Sequence, residues 1–201
     1  MDLMPESFSI AMPGPIAGIG LAIAERLKHA FDVKKFTHDF VPARLDDATW
    51  QKLLRRTPFI GLGFVGLKPH HSSGRIFDGH AHWALFLVTR NEAGPQARFF
   101  GDKLAPGVLQ MMQVAVAMLQ GHTLRQEGEA IGTIGNLEAE NAFAESWKDD
   151  AAAMIALTFA VPIAFGVTEA LADVDVGLLD GATVKWSFDG SVVSENPEGS
   201  V

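Results

Sequence analysis

Histidine is the residue type in this sequence with the clearest chemical potential, because neutral imidazole binds transition metals. Four of the seven histidines are His70, His71, His80 and His82. On a strand His80 and His82 would share one face, and a hairpin would bring His70 or His71 near them, with Asp78 as a possible oxygen ligand. Three imidazoles would suit zinc. The alternative is that these histidines contact solvent or a neighbouring subunit. We favour it, because the spacing fixes neither ligand number nor geometry.

A glycine motif offers a second possible chemistry, since Gly61, Gly63 and Gly66 match the dinucleotide-binding pattern G-x-G-x-x-G. That mechanism requires the glycines to lie between a strand and a helix N-terminus, where free N–H groups meet the pyrophosphate. The residues that follow, 67–70, read Leu-Lys-Pro-His and cannot open a helix. No acidic residue ends a second strand about twenty positions on. We therefore predict a glycine-rich strand with close backbone neighbours.

Nucleophilic and acid–base catalysis find little support in the residue pattern. The serines at 72–73 follow a histidine, but they lie in a predicted loop, and no G-x-S-x-G elbow is present. The paired carboxylates at 46–47 and 149–150 fit helix caps or solvated turns. We predict a protein that is not an enzyme and that holds no metal and no cofactor.

Composition places these residues in a single folded domain rather than a disordered chain. The chain has 201 residues, of which 48% are hydrophobic, and no cysteine. No uninterrupted apolar run reaches 18 residues, and the N-terminus lacks the basic region of a signal peptide, so we expect neither a membrane span nor secretion. The net charge of −8 disfavours sequence-independent binding of nucleic acid.

Charge is unevenly distributed along the chain. Residues 32–56 are basic and include Arg55 and Arg56, whereas residues 169–201 contain seven acids and one lysine, Lys185. The two segments therefore have the complementary charge that can fix the register of an interface.

Hydrophobic periodicity predicts the elements that would position these residues. Helices are predicted at Pro15–Phe31, 46–56 with Asp46 as cap, and 106–120 with Gly121 as stop and an inner stripe of Val108, Met112, Ala115 and Leu119. Strands are predicted at 59–67, 80–90 and 153–165, and weaker ones within 129–147. Loops are predicted at 68–79 and 91–107. The strand at 80–90 is apolar on both faces and should be central, whereas Pro162 should lie at an edge or bulge.

The chain divides into a predicted arm at 1–14, a folded domain at 15–165 and an acidic extension at 166–201. Within the extension, Asp180-Gly181 predicts a hairpin turn with Thr183–Phe188 as the return strand.

Aromatic residues in the two predicted loops indicate contact surfaces. Phe99 and Phe100 are adjacent in one loop, and Ile76-Phe77 has the same character in the other. Exposed aromatic and arginine side chains are enriched at protein interfaces, but each loop could instead fold back and fill the core. We predict a subunit or partner interface that includes Arg55, Arg56, Arg75, Phe77, Phe99 and Phe100.

The order of these elements resembles the Mu-like phage tail-terminator family. The resemblance spans about residues 15–165 and rests on five features. They are the amphipathic helix Ile16–Phe31, the apolar strand Pro58–Gly66, the strand ending in Arg90-Asn91 before Ala105-Pro106-Gly107, the helix Val108–Leu119 closing with Leu119-Gln120-Gly121, and the long alternating strand that ends the core.

The resemblance implies an α/β fold of the α+β type, in which helices pack on a mainly antiparallel sheet. It also implies a structural virion protein that forms a hexameric ring, caps the tail tube, ends tube polymerisation and docks the head or neck. The partners implied are other copies of the chain, the tail tube protein, head–tail connector proteins and, in some tails, the sheath. DNA would pass through the lumen without specific binding.

Two alternatives remain open from the sequence. The first is another neck or connector component of a tailed particle. The second is a metal enzyme or small-molecule binder that uses His70, His71, His80 and His82.

Overall fold

The structure is a computed structural model, and it describes residues 14–73, 76–103, 105–126, 128–142, 151–166, 186–188 and 191–193. Its helices are α1 (Pro15–Ala30), α2 (Asp47–Leu54), α3 (Pro95–Phe100) and α4 (Val108–Leu119). Its strands are β1 (Thr37–Phe40), β2 (Phe59–Ser73), β3 (Ile76–Arg90), β4 (Thr123–Gln126), β5 (Glu129–Thr133), β6 (Gly135–Asn141), β7 (Ala152–Gly166), β8 (Trp186–Phe188) and β9 (Ser191–Val193).

Five strands form the main sheet, in the order β1-β2-β3-β7-β6. Only β1 runs parallel to its neighbour, and the other three pairings are antiparallel. The predicted class, a mainly antiparallel sheet packed by helices, is confirmed. The strand predicted at 80–90 is also confirmed as central, because β3 pairs with β2 on one side and with β7 on the other.

One face of the sheet is covered by α1 and α4 and holds the main core. Helix α1 contributes a stripe at the spacing of three and four residues, which the sequence predicted, and Ile19 and Ile23 are completely buried there. The predicted inner stripe of α4 needs one correction. Met111 is buried, whereas Met112 is only partly buried, because Met111 follows Val108 by three positions on the inward face.

The opposite face carries a smaller core under α2, built around Trp50 and Phe59. Asp46 caps α2 as predicted, because its carboxylate accepts a hydrogen bond from the Thr49 backbone N–H at 2.7 Å. Alternate residues of β3 face the two cores, with Leu85 in the main core and Phe86 under α2. This double burial explains why the β3 sequence is apolar on both faces.

The loop predicted at 68–79 is wrong, because β2 and β3 continue as one long hairpin across most of it. An irregularity in the pairing between Pro69 and His71 accommodates the proline that indicated a loop, and a second irregularity lies earlier, between Phe64 and Gly66. Pro69 is tolerated because β1 pairs with β2 only as far as Leu62, so this end of β2 is an edge.

The second predicted loop, 91–107, contains the short helix α3 and is therefore only partly irregular. The weak strands predicted within 129–147 are confirmed as β5 and β6, whereas β1 and β4 were not predicted. The edge position predicted for Pro162 is confirmed, because β6 pairs with β7 no further than Ala160.

The predicted turn at Asp180-Gly181 lies outside the described residues. Trp186–Phe188, within the predicted return strand, is a strand and pairs with Ser191–Val193.

Candidate assembly surfaces

The long β2–β3 hairpin aligns three imidazoles on one face beyond the end of the α2 core. The ring centroids of His70 and His80 are 4.4 Å apart, and those of His80 and His82 are 6.3 Å apart. His80 and His82 share a face as predicted, and the intervening Ala81 points into the main core. Burial lowers the pKa of His82, and the positive charges of Lys68 and His80 lower it further.

This histidine row lacks the arrangement of a metal centre. Among the side chains that the structure describes, no group of three or more His, Cys, Asp or Glu residues is placed to hold a metal ion. The side chain of His71 is outside that set. Lys68 lies opposite His80 in the strand register, so a cation brought to the row would meet positive charge.

The glycine motif lies within β2 and makes close contacts with its own chain. A Cβ on Gly63 would lie 3.0 Å from the carbonyl oxygen of Val41, and one on Gly61 would lie 3.0 Å from a Val41 methyl group. The predicted glycine-rich strand with close backbone neighbours is thus confirmed. The motif continues as strand instead of opening a helix, so it does not form a phosphate cradle.

The two aromatic residues of α3 have different environments. Phe99 packs against the main core, whereas Phe100 is 63% exposed. Glycines hold this short helix against the start of α4, since a Cβ on Gly101 would lie 2.6 Å from the backbone nitrogen of Gly107. Phe100 therefore exposes a large aromatic side chain to solvent from a helix that packs closely against the start of α4.

The aromatic residue of the hairpin end behaves like Phe99. Phe77 stacks on Phe165 across the β3–β7 pair, with ring centroids 5.2 Å apart, and packs at the margin of the main core. The neighbouring Ile76 is exposed. Arg75 lies outside the described residues.

The predicted basic pair lies just beyond α2. Arg56 donates to Asp39 of β1 at 2.7 Å, and its guanidinium lies 5.8 Å from the centroid of the Phe59 ring. Arg55 is exposed. Arg56 is therefore held at the sheet edge by a carboxylate, whereas the adjacent Arg55 is open to solvent.

The structure also forms an apolar groove that the sequence analysis missed. Its volume is about 430 Å³, and its walls come from α1, the end of β1 with the segment that follows it, and the strands β2 and β3. The groove is lined by Ala17, Gly20, Leu21, Phe40, Val41, Pro42, Ala43, Leu62, Phe64 and Trp83. Leu21, Phe40 and Phe64 are 47%, 54% and 42% exposed. Leu21 is the residue that could have indicated the groove from the sequence, because it is apolar and lies outside the inward stripe of α1.

Trp83 lines the groove beside Phe64. Its ring meets that of Phe64 edge to face, with centroids 5.2 Å apart. The indole Nε1 is buried and lacks a hydrogen-bond acceptor among the described residues. A buried N–H without an acceptor is costly and calls for a specific explanation.

Residues 15–164 match the family described as "Bacteriophage Mu, Gp37". The chain belongs to the Mu Gp37 family. The predicted resemblance to a Mu-like phage family is confirmed by this match, and the chain is a phage-type structural protein.

The Mu Gp37-family chain is also similar to one chain in a solved structure titled "Virion of native gene transfer agent (GTA) particle". The two share 12% sequence identity over 79% of this chain and 100% of that chain, with a TM-score of 0.43. No curated protein sequence matches the chain. Within the part that the structure describes, none of the helices of this Mu Gp37-family protein is long and apolar enough to cross a membrane.

Proposed function

We propose that this Mu Gp37-family protein is a tail terminator: a subunit of a ring that caps the tail tube, ends tube polymerisation and docks the head or neck. The observation that carries the proposal is the match of residues 15–164 to the family. Its location would be the tail or neck of a virion, after assembly in the host cytoplasm.

The surfaces of the chain support an assembling subunit. A closed ring needs a heterologous interface, in which one patch meets a different patch of the neighbour. Phe100 and the apolar groove are separate exposed apolar surfaces, and Arg55 and Arg56 add a basic one. The acidic segment 169–201 of a neighbouring copy offers the complementary charge.

The edges of the main sheet suggest that ring contacts use side chains instead of added strands. β1 is only four residues long, and β6 exposes Glu138 and Glu140 along the other edge. Short and charged edge strands disfavour pairing with another chain. The ring is therefore expected to close through the apolar and basic surfaces.

The acidic balance of the chain suits a lumen through which DNA passes. A net charge of −8 per subunit repels phosphate, so DNA would slide through the ring instead of binding to it. The proposed partners are further copies of this chain, the tail tube protein, the head–tail connector proteins and, in a contractile tail, the sheath protein.

Native mass spectrometry with and without a chelator tests the ring. We expect a metal-free species near six times 21.6 kDa at high concentration. Tail tube protein should then be polymerised with and without the chain and examined by electron microscopy. Capped tubes of limited length are expected, and tubes of unchanged length with bare ends would contradict the proposal.

The same experiments separate the two alternatives. A neck or connector component would bind connector proteins and leave tube length unchanged. A metal protein would appear as a monomer that carries a chelator-sensitive zinc ion, and joint replacement of His80 and His82 by alanine would remove that metal while the fold is kept.

A further inference from the structure

We propose that the apolar groove receives the N-terminal segment, residues 1–13, of a second copy of the chain. The inference rests on the proposed ring and deepens it, because it names the two surfaces that meet. The groove and the N-terminal segment are different parts of the chain, so the contact is heterologous and can be repeated from one subunit to the next.

The groove has the properties of a surface that is covered in the assembly. Leu21, Phe40 and Phe64 expose about half of their side-chain surface there, and they form one contiguous patch instead of isolated exposed positions. Contiguous apolar patches on a folded domain mark interaction sites. The groove walls carry no charged side chain, so the occupant should be apolar.

Trp83 provides an unsatisfied hydrogen-bond donor beside the groove. Its buried Nε1–H has no acceptor among the described residues, although the indole lines the groove. Because Nε1 itself is shielded from the groove surface, a carbonyl oxygen of an extended backbone would accept this hydrogen bond only after the groove wall shifts on binding. The occupant that suits both observations is an extended segment with apolar side chains on one face.

The N-terminal segment has that pattern. Phe8, Ile10 and Met12 alternate with the small residues Ser9 and Ala11. In an extended conformation the three large apolar side chains project from the same face. They match the groove in chemical character.

The restricted backbone before α1 favours the groove of a neighbour over that of the same chain. Met12 and Gly14 each precede a proline, which biases both toward extended conformations, and Gly14 is extended at φ −54° and ψ 168°. The groove lies beside Ala17 and Leu21, in the first two turns of α1, so reaching it in the same chain would require a reversal next to this stiff junction. Extended, the 13 residues reach up to about 43 Å, enough to contact an adjacent subunit.

The cysteine-free chain allows a direct test by disulfide trapping. The full-length single variants Ile10→Cys and Phe64→Cys are mixed and oxidised. Only a contact between two chains can link them, and the expected product is a mixed disulfide dimer near twice 21.6 kDa. The matched control replaces Phe64→Cys by Val114→Cys, because Val114 is an exposed apolar residue on α4, outside the groove. We expect roughly tenfold more dimer with the groove variant, because docking raises the effective concentration.

Three results would overturn the proposal. They are a mixture that stays monomeric, equal cross-linking of the Val114→Cys control, and a double variant Ile10→Cys/Phe64→Cys that forms only an internal disulfide. The pair Phe8→Cys and Phe40→Cys repeats the test if Phe64→Cys does not fold. Rings without the mixed disulfide would reject the arm contact alone, whereas the disulfide with uncapped tubes would reject the tail-terminator function alone.

Discussion

Gly20 of α1 lies flat against the indole of Trp83 in β3: a Cβ on Gly20 would be 2.7 Å from Cη2 of the six-membered ring. Carbon atoms do not approach so closely, and the indole is held in the main core and cannot swing away as a flexible side chain would. The absence of a side chain at position 20 therefore allows α1 to reach the sheet and form one wall of the apolar groove.

Gly20→Ala should destabilise the fold although alanine is the better helix former. The substitution gains about 1 kcal/mol of helix propensity, but overpacking against Trp83 costs typically about 1–3 kcal/mol. We expect a net decrease in the free energy of unfolding, measured by chemical denaturation. Gly18→Ala is the control, because the new methyl group would meet only the end of the flexible Gln126 side chain. A Gly20→Ala variant as stable as Gly18→Ala would contradict this packing.

Substitutions at Phe99 and Phe100 should separate an effect on folding stability from an effect on assembly. Phe99→Ser should lower the free energy of unfolding, because Phe99 packs against the main core. Phe100→Ser should leave stability nearly unchanged and weaken the oligomer, because its side chain is 63% exposed. Denaturation and native mass spectrometry of the two variants give the comparison. An oligomer unaffected by Phe100→Ser would remove this residue from the proposed interface.

Charge reversal at the basic pair tests the electrostatic part of the ring. Arg55→Glu and Arg56→Glu together should weaken assembly, with an effect that decreases as salt concentration rises. The loss of the exposed ion pair between Arg56 and Asp39 should cost the fold less than about 1 kcal/mol. Lys103→Glu, an exposed reversal beyond α3, is the matched control. Assembly that survives the double reversal would refute the role of this pair.

His38 should make folding sensitive to mild acid. Burial lowers its pKa, and this effect exceeds the opposing one of the hydrogen bond that Nε2–H donates to the Phe31 carbonyl at 2.7 Å. Because the folded state takes up the proton less readily than the unfolded chain, the stabilisation is full above about pH 6.5 and decreases as pH falls toward the lower folded value. His82 and His122, whose pKa values are also lowered by burial, act in the same direction.

The measurement is the free energy of unfolding between about pH 7.5 and pH 5.5. His38→Gln should give a shallower decrease than the wild type over this range. An identical pH dependence in the variant would show that His38 does not contribute to it.

Thr89 joins the end of β3 to the entry of α4. It is buried, and its hydroxyl donates to the carbonyl of Pro106 at 3.2 Å. Thr89→Val keeps the shape and removes the donor, so it should lower the free energy of unfolding by about 1 kcal/mol. Thr158→Val, at an exposed position of β7, should have an effect within about 0.5 kcal/mol. Equal effects in thermal or chemical denaturation would contradict the role of the Thr89 hydroxyl.

The sequence identified residues of the kind found at interfaces, but it did not show which of them are buried and which are exposed. The adjacent pair Phe99-Phe100 indicated a contact surface, and the structure gives the two rings different environments because successive residues of a helix point about 100° apart. The interface roles of Arg55, Arg56, Phe77, Phe99 and Phe100 remain predictions. Arg75 is outside the described residues, and the division into arm, domain and extension also remains a prediction.

The sequence by itself determined the elements with long apolar patterns: α1, α4, β7 and the 80–90 part of β3. In α1 and α4 the side chains that face the core recur at the period of a helix, and in β7 they alternate at the period of a strand. In β3 a continuous apolar run indicates burial on both faces. The N-terminal cap of α2 at Asp46 was also predictable from the sequence, because capping depends on residues within one helix turn.

Only the tertiary structure decided the long β2–β3 hairpin, the strand β1 and the apolar groove. Pro69 and the glycines near it indicate a loop when read locally, but backbone pairing across the hairpin outweighs that preference. The groove joins Leu21, Phe40, Phe64 and Trp83, which are far apart in the chain. No local pattern can report such a surface, because it exists only when the sheet twist and the close contact of Gly20 with Trp83 bring α1 and β2 together.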